Sequence, residues 1–192
     1  PLSRTKNSVP SGDSTRPIAA RVKSALFSIL ESQEALRGHR WLDLFGGTGA
    51  VGIEALSRGA ASVDIVEKDG RAVQTLGQNL RSTGVGEGGR SHVVRGDAFA
   101  YLARPEIVPF DLIYIAPPQY KELWQKALLA IDVRPELLTP RGQAVVQIFP
   151  KEDTPDLPLV NLVRYDERQY GSTRLMFYTR PSALAEERPA TD

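Results

Sequence analysis

Three acidic side chains stand where short apolar segments end: Asp43, Glu67 and Asp97. If these segments are parallel strands, they end at one edge of a sheet, and the side chains that follow them surround a single cleft. Carboxylates in such a cleft accept hydrogen bonds from hydroxyl and amino groups, and they attract a cationic group. The spacing therefore predicts a binding site for a cationic ligand that is rich in hydrogen-bond donors.

A glycine-rich loop follows Asp43 and includes Phe45, Gly46, Gly47, Thr48 and Gly49. Glycines allow a sharp turn and a close approach to a ligand, and the helix that follows offers unpaired N–H groups at its start. Gly47, Gly49 and Gly52 also have the spacing of a dinucleotide-binding loop. Glu67 comes 20 residues after Gly47, where such a loop requires a ribose-binding acid. The loop alone is therefore compatible with a nicotinamide dinucleotide.

Asp43 favours a different ligand, S-adenosylmethionine. A carboxylate just before the loop would repel a pyrophosphate, but it would attract the ammonium of a methionine moiety. Glu67 could then accept both ribose hydroxyls, and Asp97 could accept from the adenine amino group. Their chain neighbours Lys68 and Ala98 are assigned to the same pocket. Helix capping is the alternative role, which suits Asp97 better than Asp43 because Asp43 lies several residues before its helix.

A proline turn follows the fourth apolar segment and contains Ala116, Pro117 and Pro118. Two prolines fix the backbone and remove two N–H donors, so the carbonyl that precedes them can project into the cleft. Tyr120 could stack on a planar base, or it could be a partly buried aromatic at the start of a helix. We predict that these four residues form the catalytic side of the cleft.

The elements that must position these groups alternate along the chain. Short segments rich in β-branched residues predict strands at 40–45, 62–67, 91–95, 111–116 and 143–148. Apolar spacing near three to four predicts helices at 17–36, 50–58, 69–83, 97–103 and 121–131. Two further strands, 160–166 and 173–179, have no helix between them and predict an antiparallel hairpin that bends near residues 170–172. The fold class is therefore α/β, with a mostly parallel sheet.

Several motifs of the chain are shared with one family: Thr15-Arg16-Pro17, Arg21-Val22, Leu26-Phe27, the stretch 43–49, Glu54-Ala55-Leu56-Ser57-Arg58-Gly59-Ala60, the Pro-Pro turn and Tyr170-Gly171-Ser172-Thr173. In these motifs the chain resembles the RsmD-type 16S ribosomal RNA guanine-N2 methyltransferases. The resemblance implies a Rossmann-like, seven-stranded methyltransferase sheet. It also implies S-adenosyl-L-methionine as the methyl donor. The implied substrate is the exocyclic amine of a guanine in 16S ribosomal RNA, within an assembled or assembling small subunit.

One position departs from that family. The Pro-Pro turn of these enzymes normally follows Asp, or Asn in related amino methyltransferases, whose side chain accepts a hydrogen bond from the target amine. This chain has Ala116 there, which leaves only a backbone carbonyl. Gln119 and Asp111 are possible substitutes, although Asp111 is expected at the far end of its strand. A variant that compensates elsewhere is the favoured interpretation, and a catalytically weakened RNA-binding homologue is the alternative.

Charge is concentrated at the start of the chain. Residues 1–30 hold five basic side chains and one acid, although the formal net charge of the whole chain is only +1. A basic arm of this kind could contact phosphates, and Arg16, Arg21 and Lys23 are the candidate RNA-binding residues. Residues 1–15 are expected to be a flexible basic segment, 16–180 the methyltransferase domain, and 181–192 a disordered tail.

Composition excludes several other chemistries. The chain has no cysteine, so it can form neither a disulfide nor a thiolate metal site, and it lacks a cysteine nucleophile. It also lacks an apolar run long enough to span a membrane. We therefore expect a cytoplasmic monomer that needs no metal. A nicotinamide-dependent oxidoreductase stays a competing hypothesis, disfavoured by Asp43 and by the lack of a convincing hydride-transfer site.

Overall fold

The computed structural model of the protein describes residues 18–154 and 157–185. The expected flexible segment 1–15 and the candidate RNA-binding residue Arg16 lie outside this part of the chain.

Within it, seven strands form one sheet in the order β3-β2-β1-β4-β5-β7-β6. The strands are β1 Arg40–Asp43, β2 Ser62–Glu67, β3 Ser91–Arg95, β4 Phe110–Ile115, β5 Leu138–Ile148, β6 Val163–Tyr170 and β7 Thr173–Thr179. The first five are parallel, whereas β7 lies antiparallel between β5 and β6. The predicted mostly parallel sheet with a C-terminal antiparallel hairpin is confirmed.

Helices cover both faces of this sheet. They are α1 Ala20–Ser32, α2 Ala50–Ser57, α3 Gly70–Thr83, α4 Ala98–Leu102, α5 Leu123–Val133 and α6 Pro181–Ala185. Short 3-10 turns occupy Glu87–Gly89, Pro135–Leu137 and Pro150–Glu152. The parallel strands need crossover connections, and the helices between them supply these connections while covering the apolar faces.

Two apolar clusters fill the space between sheet and helices. One joins α4 and α5 to the sheet through residues such as Leu42, Ile113 and Trp124. The other joins α1, α2 and α3 to the opposite face, where Phe27 stacks on Trp41 with ring centroids 5.9 Å apart. Successive strand residues point to opposite faces, so an apolar strand contributes to both clusters. The sheet is thereby held rigidly, and its carboxyl edge is a firm base for loops.

Several predicted boundaries were wrong, among them the start of β5, which begins at Leu138 rather than at 143. Helix α1 ends at Ser32 rather than at 36, and Glu34 adopts a left-handed φ of 55° just after it. Strand β6 begins at Val163 rather than at 160, because the Asp132 carboxylate accepts the N–H groups of residues 160–162 and holds them in a loop. Residues 181–185 form helix α6, since proline is favoured at a first helical position, while residues 186–192 of the expected disordered tail lie outside the described part of the chain.

Candidate functional site

The predicted site residues follow neighbouring strands at the carboxyl edge of the sheet. The glycine loop follows β1, Glu67 ends β2, Asp97 follows β3 and Ala116 follows β4. Strand β1 pairs with both β2 and β4, so the glycine loop lies between Glu67 and the proline turn. The strand order reverses at β1 and β4, and open α/β sheets bind their ligands at such a point.

Glu67 ties the glycine loop to the end of β2. Its Oε2 accepts from the Gly47 N–H at 2.8 Å, and its Oε1 accepts from the Asp69 N–H at 2.7 Å. The Gly46 N–H donates to the Val66 carbonyl and the Gly49 N–H to the Gly46 carbonyl. Three loop N–H groups that could have cradled a pyrophosphate are therefore bonded within the protein. A carboxylate still has lone pairs for ribose hydroxyls after accepting these bonds.

Two of the loop glycines are required by the space around them. A Cβ on Gly46 would lie 2.2 Å from the Ile65 Cγ2, and one on Gly49 would lie 2.2 Å from the Leu76 Cδ1. Gly49 also has a φ of +86°, which side chains rarely adopt. The loop therefore packs directly on β2 and α3. Asn79 of α3 adds a hydrogen bond of 2.9 Å from its Nδ2 to the Thr48 carbonyl, an anchor that the sequence analysis missed.

Asp43 is buried beneath the loop and acts as a helix cap. Its Oδ2 accepts from the Gly52 N–H at 3.2 Å in the first turn of α2, a role that its distance from the helix made unexpected. Burial raises the pKa of Asp43 to about 7 from 3.8; the Gly52 N–H opposes this rise and the Glu67 carboxylate adds to it. A carboxylate with this pKa is stabilised in its charged form by any cation placed beside it.

Asp97 caps α4, as the alternative interpretation allowed. Its Oδ1 accepts from the N–H groups of Phe99 and Ala100, at 2.9 and 3.1 Å. Its Oδ2 lies 3.7 Å from the Nζ of Lys68, which is exposed. Ala98 is buried at the start of the same helix. The cap thus fixes the Asp97 carboxylate next to Lys68, which follows β2.

Phe45 borders the same side of the cleft. The half-buried ring of Phe45 meets the ring of Phe99 edge to face, with the centroids 6.5 Å apart. An apolar wall therefore stands next to the carboxylates.

The proline turn carries Ala116 at the end of β4, where it is half-buried. Of the two possible substitutes for its missing side-chain acceptor, Asp111 lies at the other end of β4. There it accepts from the Arg40 N–H and the Thr139 hydroxyl, which excludes it from the cleft. Gln119 is exposed. Strands β4 and β5 are paired as far as Ile115 and Val146, and the next residue of β5, Gln147, accepts from the Tyr114 hydroxyl with its Oε1 at 2.6 Å. No local pattern in the sequence indicated Gln147 as a functional residue.

Tyr120 is 67% exposed, so it is not the partly buried helix-start aromatic that one interpretation expected. Its φ is 59°, and its N–H donates to the Glu152 Oε1 at 2.6 Å. Its ring lies beside that of Phe149, with centroids 6.1 Å apart and planes tilted by 54°. Phe149 and Glu152 follow β5 and were missed because nothing in the local sequence links them to the proline turn.

The described basic residues of α1 differ in their surroundings. Lys23 forms an ion pair with Glu54 of α2, with a distance of 3.2 Å from its Nζ to the Glu54 Oε2. Arg21 is exposed. Both side chains of this pair are half-buried, and Glu54 also accepts from Arg58 at 2.8 Å.

Two absences hold for residues 18–154 and 157–185. In this part of the chain, acidic and histidine side chains nowhere gather in threes as a metal ion would require. The helices found there are all too short or too polar to cross a membrane.

Comparisons with known proteins agree with this arrangement. The model of the family described as conserved hypothetical protein 95 matches residues 3–179. YlbH of Bacillus subtilis is 34% identical over 88% of this chain and 90% of its own length. Ribosomal RNA small subunit methyltransferase D of Escherichia coli K12 is 32% identical over 65% of this chain and 60% of its own length.

Solved structures share the fold. The structure of yhhF from Escherichia coli has a TM-score of 0.75 at 27% identity, covering 87% of this chain and 89% of its own. An RNA methyltransferase from Salinibacter ruber, solved with S-adenosyl-L-homocysteine, has a TM-score of 0.64 at 20% identity, covering 92% and 98%. With the family model spanning most of its length, the chain belongs to the conserved hypothetical protein 95 family, the RsmD family that the sequence motifs indicated.

Proposed function

We propose that the protein transfers a methyl group from S-adenosyl-L-methionine to the exocyclic N2 amine of a guanine in 16S ribosomal RNA. The observation that carries the proposal is the acidic, internally bonded glycine loop. Its N–H groups at Gly46, Gly47 and Gly49 already have partners, and Asp43 and Glu67 place two carboxylates beside it. This environment favours a cationic donor over a diphosphate. The relatives named as ribosomal RNA methyltransferases supply the substrate class.

The donor pocket uses the residues that follow β1, β2 and β3. Asp43 attracts the ammonium group, Glu67 accepts from the ribose hydroxyls, and Asp97 accepts from the adenine amino group with its Oδ2. The pocket walls are Phe45, Gly46, Gly47, Thr48, Gly49, Lys68 and Ala98. S-Adenosylmethionine supplies, when bound, a methyl group on a positively charged sulfur.

The acceptor side is formed by the proline turn. The Ala116 carbonyl, held by Pro117 and Pro118, accepts a hydrogen bond from the guanine amine and turns the nitrogen lone pair towards the methyl group. The amine displaces the thioether in line, and its surplus proton leaves to water once the new bond has made it acidic. Positioning therefore supplies most of the rate enhancement, and a strong base is not required.

RNA reaches this cleft as a single strand or with its guanine turned out. An exocyclic amine within a duplex is hard for a protein to reach, so the target base must be unpaired or flipped. Tyr120, largely exposed beside the proline turn, lies under the base. Arg16, Arg21 and Lys23 hold the RNA backbone. The substrate is a small-subunit particle in the cytoplasm, and the enzyme acts on it as a monomer.

A methyl-transfer assay tests the proposal directly. Undermethylated small subunits, from a strain lacking the corresponding enzyme, are incubated with the protein and labelled donor, and the digested 16S RNA is analysed by mass spectrometry. We expect one new N2-methylguanine per particle. Methylation of another base, or of protein only, would reject the proposed specificity.

The second candidate is an RNA-binding homologue with weakened catalysis, which Ala116 favours because its side chain accepts no hydrogen bond. The same assay separates the two, since donor and RNA binding without methyl transfer would select the second candidate.

A further inference from the structure

One side chain, that of Glu152, bonds to both the segment after the proline turn and the end of β5. Glu152 accepts from two backbone N–H groups that belong to different loops, with its Oε1 2.6 Å from the Tyr120 nitrogen and its Oε2 3.1 Å from the Phe149 nitrogen. Bonds of this kind from a carboxylate are stronger than those between neutral groups. The carboxylate therefore fixes the backbone of both aromatic residues relative to each other.

The two rings form one surface at the carboxyl edge. The ring of Tyr120 is mostly exposed and tilted by 54° to that of Phe149, which is half-buried. The exposed ring can offer a face to a planar ligand, while the half-buried one supports it from the side. Such an arrangement suits an unstacked nucleobase.

The backbone conformation at Tyr120 is intrinsically unfavourable. Tyr120 and Glu122 both have left-handed φ values, 59° and 52°, which residues other than glycine rarely adopt. A loop with two such residues persists only when its surroundings determine it. The hydrogen bond from the Tyr120 N–H to Glu152 stabilises this loop conformation.

We propose that Glu152 is a positioning residue that holds Tyr120 and Phe149 as a two-ring receptor for the target base. This inference rests on the proposed function, because it assigns the ligand of the rings as the base that receives the methyl group. Glu152 contacts neither donor nor base and acts through the two aromatic residues.

The test compares four variants by steady-state kinetics on undermethylated small subunits: Glu152→Gln, Tyr120→Ala, the double variant, and Glu106→Gln as the control. Glu152→Gln keeps the size of the side chain, but it leaves one good acceptor for two N–H groups. Glu106→Gln removes the same charge at an exposed position before β4. We expect Glu152→Gln to lower kcat/KM for RNA about tenfold, with the affinity for S-adenosylhomocysteine and the Tm close to wild type. The control should match wild type.

Non-additivity identifies the route of the effect. If Glu152 acts through Tyr120, adding Glu152→Gln to Tyr120→Ala should lower kcat/KM less than about threefold further, since interacting sites do not add. The inference is overturned if Glu152→Gln retains wild-type kcat/KM, if its effect multiplies fully with that of Tyr120→Ala, or if donor affinity falls equally. A wild-type protein that methylates no RNA overturns the proposed function itself, and a Glu152→Gln variant indistinguishable from an active wild type overturns only this inference.

Discussion

The two sides of the cleft are stabilised by different kinds of contact. On the donor side, after β1, β2 and β3, Glu67 and Asp43 accept loop and helix N–H groups, and the glycines pack directly on β2 and α3. On the proposed acceptor side, after β4 and β5, the Tyr120 side chain is exposed and its backbone φ lies in the left-handed region. The Tyr120 N–H donates to the Glu152 carboxylate. A pocket for one fixed small donor can be built in advance, whereas a surface for a large RNA must stay open. We therefore expect substitutions after β1, β2 and β3 to change donor affinity, and substitutions after β4 and β5 to change RNA turnover.

The largest expected effect is loss of donor binding in Asp43→Asn. The amide oxygen can still accept from the Gly52 N–H, but the charge that attracts the donor ammonium is gone. We expect the affinity for S-adenosylhomocysteine to fall about 100-fold, since a hydrogen bond to a charged group contributes about 1.5 to 3 kcal/mol. Isothermal titration calorimetry measures this affinity. Asp43→Ala should abolish binding and also lower the Tm, because it leaves the Gly52 N–H unbonded.

Wild-type affinity in Asp43→Asn, with a folded protein, would remove the electrostatic basis of the donor assignment. Glu106→Gln serves as the charge-matched control and should bind as wild type does.

Packing of the glycine loop gives the second effect. Gly49→Ala introduces a Cβ 2.2 Å from the Leu76 Cδ1 at a φ of +86°. We expect the free energy of unfolding to fall by about 2 kcal/mol, the typical cost of such strain, together with weaker donor binding. Urea denaturation monitored by circular dichroism measures it. The matched control is Gly96→Ala, whose Cβ would meet no atom within 4 Å; equal losses in both variants would contradict the packing argument.

On the acceptor side, Ala116→Asp should increase turnover. It restores a carboxylate beside the target amine, and one charge-assisted hydrogen bond is worth about 1.5 to 3 kcal/mol. We expect kcat to rise at least about tenfold while the affinity for S-adenosylhomocysteine stays the same. Ala116→Asn should give a smaller increase. A kcat that falls in both variants would mean that the protein positions the amine in a way that Ala116 permits and a larger side chain blocks.

The smallest expected change is a pH dependence of donor affinity, which arises on the side of the cleft that contains Asp43. Burial raises the pKa of Asp43 to about 7, so below that pH the free protein holds a proton that a cationic donor must displace. We expect the affinity for S-adenosylhomocysteine to fall severalfold between pH 7.5 and pH 6, and to vary less above pH 7.5. Asp43→Asn should flatten this profile. An affinity that rises on acidification would contradict the assignment.

The same raised pKa has the opposite sign for stability. Between the ordinary carboxyl pKa of 3.8 and the raised value, the folded protein binds a proton that the unfolded chain has released. The free energy of unfolding of the ligand-free protein should therefore decrease as the pH rises through this window, and Asp43→Asn should lose that part of the dependence.

The strand order along the chain and the positions of the acidic residues could be predicted from the sequence because they depend on local patterns. Short segments rich in β-branched residues predicted the strands, and the acids that follow them were expected at the carboxyl edge of the sheet, where Asp43, Glu67 and Asp97 lie. What escaped prediction depends on contacts between distant segments. Asp132 delays β6 by accepting three N–H groups about 30 residues away, and Glu152 reaches back to Tyr120. The cap made by Asp43 was missed because the intervening loop folds back over it.

We propose that the cleft beside the glycine loop accepts a cationic amino-acid headgroup and rejects a diphosphate. Parallel calorimetric titrations with S-adenosylhomocysteine and with NADH at pH 7.5 test it most directly. We expect saturable one-to-one binding of S-adenosylhomocysteine that weakens about 100-fold in Asp43→Asn, and no binding of NADH. Tight binding of NADH to the wild type, unaffected or strengthened by Asp43→Asn, would contradict the account.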